Sequence, residues 1–205
     1  MVKAFFSNDA KEKVKQAIIE AERATSAEVV VTVKPRVSRY RDVDFAVGAV
    51  FALIALCVLM FHPAELDENW FPVAVAAAFA LGATLTAAVS PLKRALIPKR
   101  RRHDELQRAA RDAFVTLGVH GTKGRTGLLV YVAAFEKDIE IVTDVGLTSE
   151  ALGEGWAGVR ARVRDAVIAG DLDGFAQAVA AIGPALTASL PRAEDDVNEL
   201  PDEVH

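Results

Sequence analysis

The sequence predicts an α/β sandwich: a small mixed sheet of about three to four strands flanked by helices, with a two-helix transmembrane hairpin inserted into it. Three observations predict this. Two runs without a charged residue, Phe45–Phe61 and Trp70–Val89, stand close together in the first half of the chain. The rest alternates helical and strand periodicity, in the order helix, strand, hairpin, helix, strand, strand, helix, helix. The one strand before the hairpin has no neighbour on its own side, so it must pair with strands beyond it. One folded unit is then built around the insertion.

Each element has a local reason. Ser7 or Asn8 can cap a first helix whose apolar residues Val14, Ala17, Ile18 and Ala21 share one face. Thr25 and Ser26 interrupt it, and Glu28–Val33 (EVVVTV) reads as a buried, β-branched strand. Beyond the hairpin, His103–Leu117 repeats the helical period with Leu106, Ala110, Ala113, Phe114 and Leu117, and Gly118 follows as a stop. Thr126–Ala134 and Ile139–Thr143 are strands joined by the turn Phe135–Asp138, an antiparallel pair. Glu154–Ala169 and Leu172–Leu190 are helices, the second bent or split at Gly183-Pro184. From Pro191 onward an acidic tail is expected to be disordered. The domains expected are therefore residues 1–42 with 90–190, a hairpin over 43–89, and a tail over 191–205.

Hydrophobic residues make up 52% of the 205 and charged residues 25%, which excludes disorder and locates the apolar excess in the two runs. A helix over the first run is about 26 Å long, close to the roughly 30 Å hydrocarbon core of a bilayer. Pro63 ends it, and Pro72 sits in the first turn of the second, where a missing N–H costs little. The lipid bilayer is the expected partner of Phe45–Phe61 and Trp70–Val89. Lys34, Arg36, Arg39 and Arg41 precede the first run, and Lys93, Arg94 and Lys99–Arg102 follow the second. The connecting loop holds Glu65, Asp67 and Glu68 and no cation. The positive-inside rule then puts both termini in the cytoplasm, in a multi-pass protein of the cell (inner) membrane. The start of the chain has no apolar run of the signal-peptide kind. Small residues Ala74, Ala78 and Gly82, four apart, pack the two spans together or, in the sharper reading, form a homodimer contact.

Motifs with chemical content are few. Cys57, the one cysteine, lies in the first apolar run, so neither a disulfide within the chain nor a cysteine zinc cage can form. Gly118–Gly127 has the composition of a phosphate loop, but Lys123 is followed by Gly124 and then a strand rather than a helix. His62, His103, His120 and His205 lack zinc spacing, and no serine has a nucleophile-elbow context. No catalytic residue is assigned. The basic run Lys99–Arg102 lacks interleaved aromatic residues, so no nucleic-acid partner is expected. The acidic set Glu28, Asp144 and Glu136 remains, with Asp138 beside it: clustered carboxylates would suit Ca²⁺ or Mg²⁺. The plainer reading makes Glu28 and Asp144 strand-end residues that pair with nearby Lys or Arg. On that reading no cofactor is needed.

The series Phe5-Phe6-Ser7, Glu20–Val31 (EAERATSAEVVV), Gly121–Val132 (GTKGRTGLLVYV) and Glu136–Leu147 (EKDIEIVTDVGL) resembles the TPM domain family, also called DUF477, in its membrane branch with an inserted hairpin. The resemblance covers most of residues 5–190. It implies the split α/β domain described above. It also implies relatives of two kinds, modulators or assembly factors of membrane proteins, and divalent-cation binders described as acid phosphatases. The function expected is a non-enzymatic binding, assembly or modulator module for an unknown protein partner. The alternative is a divalent-cation-dependent, acid-phosphatase-like hydrolase using Glu28 and Asp144.

Overall fold

The computed structural model describes residues 5–63, 67–148, 152–153, 155–192 and 199–200. The chain divides into two compact units, residues 1–37 with 103–205, and residues 38–102.

In the first unit α1 (Asn8–Glu22) is capped by Ser7, whose hydroxyl accepts from the Ala10 N–H at 3.1 Å. It buries Val14, Ala17, Ile18 and Ala21, the face its periodicity requires. Strand β1 (Glu28–Lys34) lies parallel to β2 (Gly127–Ala133), with Glu28 opposite Gly127 and Val33 opposite Val132. β3 (Asp138–Thr143) runs antiparallel to β2, with Leu128 opposite Thr143. The sheet order β1-β2-β3 makes β2 central, and every β2 residue is buried. That is why its sequence is a continuous apolar run rather than an alternating one.

Alternate strand residues feed two cores. Val29, Val31, Val33, Leu128, Val130, Val132 and Ile139 face α1, α6 (Trp156–Ala169), α7 (Leu172–Ala180) and α8 (Ile182–Leu186), with Phe175 and Ile182 fully buried among them. Val30, Leu129, Tyr131 and Ala133 face Leu106, Ala110 and Phe114 of α5 (Lys99–Thr116). The mixed three-stranded sheet with helices on both faces is the α/β architecture expected from the sequence.

Several bounds differ from the expectation, each for a physical reason. α5 begins at Lys99, four residues early, because Lys and Arg are good helix formers even where apolar period is absent. The last helix is split after Ala180, where Gly183 packs so tightly on the Ala21 backbone that a Cβ would overlap the carbonyl. Glu154 lies outside the described residues. The segment from Pro191, expected to be disordered, makes contacts at its described positions. Pro191 bridges Thr25, the Glu199 N–H donates to the Glu28 carboxylate, and Leu200 packs against the second core.

The second unit contains the two apolar helices, α2 (Arg41–Phe61) and α3 (Phe71–Ala88), followed by the short α4 (Ser90–Leu96). Both apolar helices are long and apolar enough to cross a membrane, and only 11% of either apolar window is buried. They pack through small residues. A Cβ at Gly48 would meet Phe79, and one at Gly82 would meet the Phe51 ring, so each glycine receives a phenylalanine from the other helix. Gly82 and Thr86 are thereby covered within the chain.

Ion pairs tie the flanking segments to the bases of the two apolar helices. The Lys93 Nζ donates to Asp44 at 2.7 Å and to the Arg39 carbonyl at 2.8 Å, with both ionic side chains buried. Arg101 grips Asp42 with both terminal nitrogens, and its guanidinium lies 5.5 Å from the centre of the Tyr40 ring. The first apolar helix therefore starts at Arg41 and carries two carboxylates in its first turn, where the helix N-terminus favours negative charge.

Candidate functional site

The parallel register sets Glu28 against Gly127, and the antiparallel register sets Asp144, one residue past β3, on the other side of the same glycine. The Asp144 N–H donates to the Gly127 carbonyl at 2.9 Å. By the two-residue period of strands, Glu28, Gly127 and Asp144 share one face. Both carboxylic residues are buried, at 6% and 4% exposure. Between them sits the 3₁₀ turn Val119–Gly121. The Val119 carbonyl oxygen occupies the place a Cβ on residue 127 would take, so only glycine fits there.

Arg125 closes this end of the sheet. One of its terminal nitrogens donates to the His120 carbonyl at 3.0 Å, and the other pairs with Asp144 Oδ1 at 3.1 Å. It holds this reach from a left-handed backbone (φ 54°), a conformation that costs a non-glycine residue about 1 kcal/mol and persists where side-chain bonds fix it. Asp144 Oδ1 also accepts from the Val145 N–H at 2.7 Å. Its Oδ2 is buried with no hydrogen-bond donor among the described residues, and the same holds for His120 Nδ1. The glycine-rich turn meets Glu199: the Lys123 N–H donates to the Glu199 carboxylate at 2.8 Å, while the Glu199 N–H reaches Glu28 at 3.1 Å. The turn therefore receives a carboxylate, and no helix follows it to cradle phosphate.

Glu136 lies at the opposite end of the sheet. It follows β2 and accepts from the Val37 N–H at 3.2 Å, beside the place where Arg36 sits 5.5 Å from the Phe135 ring centre. The length of β2, roughly 20 Å at 3.3 Å per residue, separates it from Glu28 and Asp144. One ion cannot be held by all three. Asp138, at the same far end, pairs with Arg164 at 3.0 Å. Among the described residues no group of three or more His, Cys, Asp or Glu side chains is arranged to hold a metal ion. The sheet end with Glu28 and Asp144 thus offers two carboxylates, one already neutralised by a guanidinium, where Ca²⁺ takes six to eight oxygens. That donor set does not fit a dedicated cation site.

The Tyr131 phenol, on the same face, is pushed above its ordinary 10.0 by burial first and then by the negative charges of Glu136 and Asp112. It is a neutral core group at physiological pH. On the other side of the unit, an open groove of about 1010 Å³ runs between α1 and α7, and the Lys13–Asp173 pair at 2.6 Å sits on its wall. The hydrogen bond from Lys13 to Asp173 holds the ammonium above its ordinary value.

Sequence reasoning found Glu28 and Asp144 but missed the residues that engage them, Arg125 and Glu199. It also missed Asp42 and Asp44 as partners of Arg101 and Lys93. The available signal was two acids in the first turn of an apolar helix, with cations on the returning flank.

The chain is similar in structure to the BA42 protein of the psychrophilic bacterium Bizionia argentinensis, solved by NMR. The TM-score is 0.57 at 19% identity, over 97% of this chain and 92% of that one. The likeness is one of fold. No protein-family model and no curated protein matches the chain.

Proposed function

We propose that this chain is a membrane-anchored module of the TPM kind that binds, assembles or modulates a partner protein on the cytoplasmic face of the inner membrane. The observation that carries the reading is the contrast in burial. The folded α/β unit hides most of its large apolar side chains, Val115 and Val145 excepted, whereas α2 and α3 leave Leu53, Ile54, Met60 and Leu81 more than half exposed. A pair of core helices in a soluble protein would be covered; hydrocarbon is the environment in which such a surface is stable. The TPM reading draws support from where its motifs fall. EVVV forms β1, GTKGRTGLLVYV forms the turn and β2, and EKDIEIVTDVGL forms β3 and the loop that closes on Arg125. A structural rather than catalytic part for Glu28 and Asp144 is supported by their bonds to Glu199, Arg125 and Val145, which hold the sheet end together. The dimer contact through Ala74, Ala78 and Gly82 is the weaker use of that stripe, since Phe51 already fills Gly82.

Extraction of membranes with alkaline carbonate and then detergent tests the anchor, and impermeant labelling of a cysteine introduced at position 160 tests the topology. The expected outcome is retention until detergent is added and no labelling in intact cells. Release by carbonate overturns the anchor, and labelling overturns the orientation. Capture from detergent extracts followed by mass spectrometry identifies the partner.

One observation favours the hydrolase reading, the buried Asp144 Oδ2 that has no donor among the described residues. The expected result is no turnover of a phosphomonoester with Mg²⁺, Ca²⁺ or Mn²⁺. Asp144→Asn should lower stability by about 1–3 kcal/mol through the lost ion pair with Arg125. Metal-dependent turnover abolished by Asp144→Asn, in a protein that melts normally, would make the chain a hydrolase.

A further inference from the structure

We propose that the segment leaving the hairpin, Ser90–Arg100, together with Arg39 and Arg41, forms a binding surface for the headgroups of anionic phospholipids; this rests on the membrane reading and names the lipid class it selects. α4 packs against both apolar helices, with Lys93 turned inward and buried. On the neighbouring stripe Leu92 and Leu96, four residues apart and so on one side of the helix, are exposed, as is Val89 just before them. A one-turn apolar edge flanked by Arg94, Lys99 and Arg100 has the pattern of an element lying at the boundary between headgroups and acyl chains.

The charges sort themselves. The two carboxylates at this end of the hairpin are both engaged, Asp44 by Lys93 and Asp42 by Arg101. Arg39, Arg41, Arg94, Lys99 and Arg100 make no ion pair among the described residues. The pairing thus removes Lys93 and Arg101 from the cations available to a ligand and leaves the others uncompensated. Arrayed cations beside exposed leucines fit phosphate attached to lipid. Nucleic acid would call for stacking aromatic side chains, and this segment has none.

The test uses the full chain in non-ionic detergent, titrated with phosphatidylglycerol or phosphatidylcholine and read by native mass spectrometry. Each cation near an anionic headgroup surface is worth about fivefold in affinity. Phosphatidylglycerol should therefore bind at least about tenfold more tightly. Arg94→Gln/Lys99→Gln/Arg100→Gln should erase most of that preference without changing helicity, and raised salt should weaken the wild type only. The double variant Asp44→Asn/Lys93→Met, which removes a pair and no net charge, should keep it. Equal binding of the two lipids, or a preference that survives the triple substitution, overturns the proposal while the chain still resists carbonate extraction. Release by carbonate overturns the membrane reading itself.

Discussion

The two units of this chain obey one rule with opposite results. In residues 1–37 with 103–205, the large apolar side chains Phe175, Leu128 and Ile182 are hidden, and charges such as Lys13 and Asp173 face out. In residues 38–102 Leu53, Ile54, Met60 and Leu81 face out, and what the two apolar helices hide is small or polar, Gly48, Gly82, Thr86 and Asp44, with Tyr40, Lys93 and Ile97 buried beside their bases. Apolar area leaves water inward in the globule, whereas α2 and α3 carry theirs on the outside. Burial thus separates the two units.

That contrast can be broken at its strongest points. Phe175→Ala should cost about 3–5 kcal/mol and abolish cooperative melting of the α/β unit, whereas Leu53→Ala should stay within about 0.5 kcal/mol, both by thermal denaturation in detergent. If Leu53→Ala costs as much as Phe175→Ala, α2 is a covered core helix and the contrast fails. Lys93→Met alone leaves Asp44 buried without its cation and should destabilise the hairpin base by about 3 kcal/mol, while Asp44→Asn/Lys93→Met restores most of the loss. A disulfide cross-link engineered between the two helix bases reads this directly. Gly82→Val forces a side chain into the Phe51 ring and should cost about 1–3 kcal/mol, loosening the hairpin on denaturing gels; the same change at the exposed Gly158 should be silent there.

The smallest effect concerns pH. Because the folded state holds the Tyr131 phenol above 10.0, the native chain keeps a proton that the unfolded chain loses. This stabilisation is full below about pH 10 and falls as pH rises through the native value. Tyr131→Phe should flatten that decline in denaturant midpoints measured at about pH 9 and 11, and an unchanged slope would show that the phenol does not contribute.

Much of the α/β unit was legible because it rests on local signals. Ser7, the face Val14-Ala17-Ile18-Ala21, the all-apolar β2 and the stop at Gly118 each declare an element without reference to the rest. The hairpin was legible for the same reason. What escaped depends on groups distant in sequence. That Asp144 meets Arg125 and that Glu136 lies a sheet length from Glu28 follow only from the register of β1 on β2 and of β2 on β3, and that Glu199 returns to Lys123 follows from no local signal at all. Lys93 and Arg101 look like ordinary flanking cations until the fold brings Asp44 and Asp42 beside them. Charge counted along the sequence therefore overstates what remains exposed at the hairpin base.

The parallel pairing of β1 with β2 also sets an order of events during synthesis. Glu28–Lys34 leaves the ribosome long before Gly127–Ala133 exists, and everything between the two strands includes both apolar helices. At about 5–20 residues per second the first strand waits roughly 5–20 s for its neighbour. Through that interval a β-branched edge, EVVVTV, is unpaired and able to join another chain. A chain that halts within that interval is the species most exposed to aggregation.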